Sequence, residues 1–161
     1  MVGPNGTPAT AGRDVVVALD GVNEPDPLLA TAVDWARQLG APLRIVTVYE
    51  PLPADIREPE HYSRRHGPSI DPDVYLGALR PRADLQGLAG VASVAIADPV
   101  SVADGVSRHL ADNPAFLLVV GGGRRHVWPS SLVRALLRRS PPPVLVVPHD
   151  GPQQPDDHHG A

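Results

Sequence analysis

The chain has 161 residues, no cysteine and a formal net charge of −4 at pH 7. This length suits one domain, and the mild acidity argues against nucleic-acid binding, which usually needs a strongly basic face. The absence of cysteine excludes disulfides and thiol chemistry. All 14 Lys and Arg side chains are arginine, so lysine Schiff bases and a P-loop lysine are excluded as well.

The end segments and the length of the apolar runs indicate where the protein works. No apolar run reaches the roughly 20 residues of a membrane-spanning helix, and the first 13 residues lack the apolar segment of a signal peptide. We therefore expect a cytoplasmic protein with no membrane and no nucleic-acid partner. Both ends are rich in Pro, Gly and polar residues, which predicts disordered segments at 1–13 and 149–161 around a domain at 14–148.

The first third of that domain reads as strand, helix, strand. Residues 14–20 (DVVVALD) form a β-branched run typical of a strand buried on both faces. Asp26 followed by Pro27 suits a helix N-cap and first position, and apolar residues then recur at helical spacing as far as Gly40, a typical C-cap. Residues 43–49 (LRIVTVY) predict the second strand.

The middle third is less regular. Residues 50–69 hold several prolines and many charges, which predicts a long loop. A weaker, proline-interrupted helix is expected over 72–88, and residues 91–97 (VASVAIA) predict the third strand. Asp98, which precedes a proline, is expected to cap a helix that runs to about Asn113.

The last third ends in a strand, helix, strand unit. Residues 116–120 (FLLVV) predict a fourth strand, and the glycine run at 121–123 is expected to leave it as a loop. Pro129 is expected to open a helix that the prolines at 141–143 stop, and residues 144–147 predict the fifth strand. Strands that alternate with helices predict an α/β fold, a parallel doubly wound sheet with helices on both faces. Ligands of such folds bind at the carboxyl ends of the strands.

The glycine run is the clearest candidate for a ligand site. Gly121 and Gly123 would let backbone N–H groups approach an anion at the start of a helix, and Arg124 could clamp a phosphate. Ser130 and Ser131 could donate hydroxyl hydrogen bonds. The alternative is a flexible connection with exposed arginines. No standard dinucleotide or P-loop glycine motif is present.

Asp20 is the second candidate, because it ends the first strand where the crevice is expected. Its carboxylate could accept hydrogen bonds from a ribose, or it could start a turn with Gly21. Catalytic patterns are missing from the sequence: it holds no G-x-S-x-G motif and no H-E-x-x-H motif. His126, beside the glycine run, is interpreted as an exposed loop residue. We expect no enzyme, or at most a weak ATPase.

Two stretches resemble the universal stress protein family, with single-domain members of actinobacterial type as the nearest pattern. They are VVVALDGVNEPDPLLATAVDWARQLGAPLRIVTVYEP and LLVVGGGRRHVWPSSLVRALLRRSPPPVLVVP, and the resemblance covers about residues 14–148. It implies a five-stranded sheet in the order 3-2-1-4-5 and a homodimer through the last strand, residues 144–147. It also implies an adenine nucleotide, ATP or AMP, as ligand, with no metal except Mg²⁺ accompanying ATP.

The resemblance assigns site residues by position. Asp20 falls where the family binds ribose and Val48 where it packs on adenine. Gly121 matches the first glycine of the family motif G-x2-G-x9-G-[ST], Ser130 stands in place of its last glycine, and Ser131 matches the final Ser/Thr. Eight residues separate Gly121 from Ser130, four fewer than in the motif.

The short loop should weaken a phosphate cradle while leaving the adenosine contacts. The sequence therefore predicts a stress-response module that binds an adenine nucleotide weakly. The alternative is a dimeric interaction scaffold with a degenerate ATP site.

Overall fold

The computed structural model describes residues 12–19, 27–49, 71–82, 85–97, 101–124, 131–139 and 141–149. It contains five strands and four helices within these ranges, in the order β1 (Val15–Leu19), α1 (Leu28–Leu39), β2 (Leu43–Tyr49), α2 (Pro72–Leu79), β3 (Val91–Ala97), α3 (Val102–Asp112), β4 (Leu117–Arg124), α4 (Ser131–Leu137) and β5 (Val144–His149). The loop predicted at 50–69 lies outside the described residues, as do residues 1–11 and 150–161 of the predicted end segments. His149, predicted to start the disordered tail, is instead the last residue of β5.

The strands form one parallel sheet in the order β3-β2-β1-β4-β5. β1 lies at the centre, where Val17 pairs with Ile45 of β2 on one side and with Val119 of β4 on the other. The predicted fold class and strand order are therefore confirmed. Within the described ranges, no helix has the length and apolar character needed to cross a membrane.

Successive residues of the central strands contribute to two apolar clusters, one on each face of the sheet. Val15 and Val17 lie in the cluster that α1 and α2 cover, whereas Val16 lies in the cluster that α3 and α4 cover. This alternation follows from the two-residue repeat of a strand, and it explains why the strands read as continuous apolar runs. Helices on both faces are thus confirmed.

α1 ends where the sequence predicts and begins one residue later. Gly40 adopts a left-handed conformation (φ 59°, ψ 30°), and its N–H donates to the carbonyls of Ala36 and Arg37. A residue with a Cβ would be strained there. Pro27 occupies the N-cap rather than the first helical position, and its carbonyl accepts hydrogen bonds from the N–H and the Oγ1 of Thr31. Asp26, the predicted cap, lies outside the described residues.

The predicted cap of α3 is wrong. Ser101, not Asp98, occupies the N-cap: its Oγ accepts the backbone N–H of Asp104 at 3.0 Å and donates to Asp104 Oδ2 at 2.6 Å. This reciprocal pairing satisfies a free N–H of the first turn, so the helix begins at Val102. The predicted end of this helix, near Asn113, is confirmed.

α2 is shorter than the predicted helix over 72–88. The carboxylate of Asp71 accepts the N–H of Asp73 at 2.9 Å, which caps the start at Pro72. The helix ends at Leu79, and Pro81, two residues further on, has no N–H to continue the helical hydrogen bonds.

Candidate functional site

The carboxyl edge of the sheet opens beside β1. β1 pairs with β4 as far as Ala18 and Val120, and with β2 one residue further, as far as Leu19 and Thr47. β1 ends at Leu19 whereas β4 runs on to Arg124, so β4 extends beyond β1 at this edge. The helices that follow β1 and β3 lie on opposite faces, so the gap between β1 and β4 is the switch point at which doubly wound sheets bind ligands.

Val48 of β2 and Gly121 of β4 lie at this edge, on either side of the end of β1. Ala18 pairs with both Val46 and Val120, so Val48 lies two residues and Gly121 one residue beyond that level. The structure therefore brings these two predicted site residues to the same edge, with the end of β1 between them.

Val48 is a core residue as much as a site residue. Its side chain is 8 % exposed and packs in the cluster under α3 and α4, beside partly buried Ile96 of β3. Only the small exposed part of the Val48 side chain is left to contact a ligand. A flat apolar group would therefore pack against the edge of the core at this position.

The glycine run does not form a loop, and that prediction is wrong. β4 continues through residues 121–124: Gly121 pairs with Val147 and Arg124 with His149, with an irregularity between the two pairs. β5 correspondingly extends to His149. The sheet continues here because the paired β5 supplies backbone partners that a glycine can use as well as any residue.

Gly121 is not required by the packing around it. A Cβ built there would meet Leu28 Cδ2 of α1 at 3.7 Å, which is ordinary van der Waals contact, and its φ is not in the left-handed region. Among the described residues, none contacts such a Cβ closely enough to require glycine here, in contrast to Gly40, whose left-handed φ favours it.

The remaining predicted residues are placed only in part. Gly123 and Arg124 lie on the β4 backbone, and Ser131 is the first residue of α4. Asp20 and Ser130 lie outside the described residues. Within the described part of the chain, no group of three or more His, Asp or Glu side chains is placed to hold a metal ion.

Thr47 is a buried polar residue that the sequence patterns did not predict. In the described ranges it is the one polar side chain that is buried, 2 % exposed, and its Oγ1 donates to the carbonyl of Leu19 at 2.9 Å. The signal was a single hydroxyl within the apolar strand LRIVTVY, directly before Val48. Its partner could not be inferred, because the two residues are 28 positions apart.

Electrostatics at the helix starts favour an ordered α3. Hydrogen bonds from the Ser101 hydroxyl and then from Arg139 lower the pKa of Asp104 from its usual value. Arg139 follows the end of α4 by two residues, and its Nη2 lies 2.6 Å from Asp104 Oδ1 in the first turn of α3. This pair lies on the surface, where ion pairs contribute little to stability.

The sheet order and the gap at its carboxyl edge define a doubly wound α/β domain with a switch-point crevice. The model of the universal stress protein family matches residues 12–148, and the chain belongs to this family. No match was found among curated proteins.

Solved structures of universal stress proteins resemble the chain over most of its length. One, in complex with cAMP, is 25 % identical with a TM-score of 0.63, over 88 % of this chain and 100 % of that one. A family member from Burkholderia pseudomallei is also 25 % identical, with a TM-score of 0.59 over 88 % and 100 % of the two chains. The Archaeoglobus fulgidus protein in complex with dAMP shares the fold at 16 % identity and a TM-score of 0.55, over 84 % and 98 %.

Proposed function

We propose that this protein is a cytoplasmic stress-response module that binds an adenine nucleotide weakly in the gap between β1 and β4. The observation that carries the proposal is the placement of Val48 and Gly121 on either side of the end of β1, at the switch point of the sheet. Asp20, which follows Leu19 directly, would bind the ribose, and Val48 would pack against the adenine.

The comparisons support the ligand class. The 25 % identical relative was solved with cAMP, and a more distant protein of the same fold with dAMP. Both ligands carry an adenine base and a single phosphate group. Gly121 fits such a ligand, since glycine without a packing requirement is expected where a ligand approaches the backbone closely.

The phosphates would have fewer contacts than a full loop could offer. Gly121 and Arg124 pair with β5 on one side, so part of the backbone of this run already has partners. The other side faces the gap, because β1 pairs with β4 only as far as Ala18. The backbone N–H groups that remain would bind one phosphate better than three, together with Arg124, Ser130 and Ser131. We therefore expect AMP to bind at least as well as ATP with Mg²⁺.

Calorimetric titration with AMP, ADP and ATP tests this function. We expect binding of AMP that Asp20→Asn abolishes, because the variant loses the charged acceptor for the ribose hydroxyls. Asp34→Asn, on the exposed side of α1, is the matched control and should bind normally. A ligand at 100 times its dissociation constant stabilises a fold by about 2.7 kcal/mol. The absence of both binding heat and a thermal shift at millimolar nucleotide would contradict the proposal. We expect no phosphate release above background.

A second candidate function is a dimeric interaction scaffold, and the position of β5 favours it. β5 lies at the edge of the sheet, and its four apolar residues at 144–147 are only partly buried. Edge strands with apolar side chains are templates for pairing with another chain. A homodimer through residues 144–147 is compatible with nucleotide binding, because the gap lies between β1 and β4. Sedimentation that shows only monomer would count against it.

A further inference from the structure

α3 and α4 lie side by side on one face of the sheet and bury their apolar sides in the same cluster. The buried residues are Ala103, Val106 and Leu110 of α3 and Val133 and Leu136 of α4. Each residue turns a helix by about 100°, so a residue two positions from a buried one points away from the sheet. The two helices therefore form one outer surface of the molecule.

Arginines dominate this outer surface. α3, α4 and the two residues after α4 contain four arginines and two aspartates, so this layer has a formal charge of +2 with its histidine neutral, whereas the whole chain has −4. Arg108, Arg134 and Arg138 are exposed, and each lies two residues from a buried member of the cluster on its own helix. The surface is thus basic in a protein that is acidic overall.

The fourth arginine, Arg139, is neutralised within the layer. Its Nη2 lies 2.6 Å from Asp104 Oδ1, and its Nη1 donates to the carbonyl of Ala135 at 2.6 Å. Hydrogen bonds from Ser101 and then from Arg139 lower the pKa of Asp104, and the charges of Arg139 and Arg108 add to this effect. The carboxylate between the two helices therefore already has cationic partners, and it leaves the outer arginines of α4 without one.

Arg134 and Arg138 are spaced four residues apart, so they are neighbours on the surface of α4. In the part of the chain that the structure describes, no carboxylate lies within ion-pair distance of either guanidinium. Leu137, three residues after Arg134, is 56 % exposed. An exposed leucine beside two cations suits a partner that carries both carboxylates and an apolar side chain.

We propose that this basic surface, formed by Arg134, Leu137 and Arg138 with Arg108 beside them, binds an acidic amphipathic segment of a partner protein. Carboxylates four residues apart on a partner helix would pair with the two arginines of α4, and an apolar residue between them would pack on Leu137. A nucleic acid fits less well, because the chain is negative overall and a phosphate backbone offers the leucine no apolar contact. The proposal does not depend on nucleotide binding.

Two synthetic helical peptides of about 15 residues test this surface. The acidic peptide carries Glu at every fourth position with Leu between them, and the control peptide has Gln in place of each Glu. Single-stranded DNA of the same net charge is the third probe. Fluorescence anisotropy at low salt gives the dissociation constants with the full chain. We expect the acidic peptide to bind at least about tenfold more tightly than either of the other probes.

The variants separate charge from apolar contact. The double variant Arg134→Gln with Arg138→Gln should weaken binding of the acidic peptide by about three- to tenfold, since each exposed ion pair contributes little by itself. Leu137→Ala should weaken it by about threefold through lost apolar contact. Arg80→Gln, at an exposed arginine that directly follows α2, is the matched control and should bind like wild type.

Two results overturn the proposal: wild type that does not bind the acidic peptide, or a double variant that binds it as tightly as wild type. DNA that binds as tightly as the acidic peptide also overturns it, because the surface would then attract any polyanion. An equal loss in Arg80→Gln has the same consequence, since the effect would come from the charge of the whole chain. Circular dichroism confirms that each variant is folded before its affinity is compared.

Discussion

Nε2 of His109 lies 3.4 Å from Nη1 of Arg44, at the amino end of the sheet, opposite the edge where Val48 and Gly121 lie. The same guanidinium pairs with the carboxylate of Asp14 and donates to the carbonyl of Asn113 at 2.9 Å. One arginine of β2 thereby joins the segment before β1 to the last turn of α3. Neutral His109 can accept from Arg44, whereas a protonated ring would place a second cation against it.

The first prediction is that acidification destabilises the fold through His109. Burial, and then the charge of Arg44, lower the pKa of His109 from 6.5, while Asp112 opposes the shift. The unfolded chain therefore binds more protons than the folded chain just below pH 6.5, and the free energy of unfolding falls as the pH drops through that value towards the folded pKa. Urea denaturation from about pH 7.5 to about pH 5 measures the slope.

His109→Gln should show a shallower slope, since glutamine accepts a hydrogen bond and does not titrate in this range. An NMR titration of the His109 ring reports its pKa directly. A ring that titrates at or above 6.5, or equal slopes in wild type and variant, would show that this contact does not couple folding to pH.

The second prediction concerns the ion pair of Arg44 with Asp14, whose side chains are 14 % and 19 % exposed. Arg44→Met should lower the free energy of unfolding by about 1–3 kcal/mol, because it leaves a largely buried carboxylate without its partner. The double variant with Asp14→Asn should recover part of this loss, since no charge is then left unpaired. Chemical denaturation of the two single variants and the double variant gives the coupling energy. Simple additivity would contradict the interpretation.

The third prediction separates two glycines. Gly121→Ala should change stability by less than about 1 kcal/mol, since its Cβ meets only ordinary contact and its φ is not left-handed. It should nevertheless weaken AMP binding if the proposed ligand approaches this backbone. Gly40→Ala should do the reverse: a loss of about 1–2 kcal/mol from the left-handed conformation, with AMP affinity unchanged. Thermal denaturation and calorimetry distinguish them, and identical behaviour of the two variants would refute the assignment.

The fourth prediction tests the start of α3. Ser101→Ala should cost about 1 kcal/mol of stability, because the N–H of Asp104 loses its acceptor. Asp98→Ala should cost less, since Asp98 is not the N-cap of this helix. Equal losses measured by urea denaturation would restore the sequence-based assignment of the cap.

The fifth prediction addresses the proposed dimer. Leu118 N–H donates to the carbonyl of Pro143 at 2.9 Å, so the backbone groups of Val144 and Val146 point away from β4. Val146→Pro removes an outward N–H while sparing the bonds to β4, and is expected to convert a dimer to a monomer. Light scattering reads the mass, with circular dichroism as the control for folding. A variant that stays dimeric would exclude pairing through β5.

Local patterns predicted much of this fold. The bounds of β2 and β3 were predicted from apolar runs between turn residues, and the end of α1 was predicted from Gly40. Both predictions succeed because strand burial and left-handed caps depend on residues that are neighbours in the sequence. The predicted cap of α3 was wrong because Asp98 and Ser101 are both favourable N-cap residues, and their positions in the sequence do not show which of them caps the helix.

By itself the sequence determined the alternation of strands and helices, the parallel doubly wound class and, through its resemblance, the family and the positions of Val48 and Gly121. Only the tertiary structure decided that the glycine run continues β4, because the partner that makes it a strand, β5, lies more than 20 residues further along the chain. It alone also joined Thr47 to Leu19 and Arg44 to His109, across 28 and 65 residues. A buried hydroxyl or guanidinium must find a partner, but which one depends on the strands and helices that the fold places beside it.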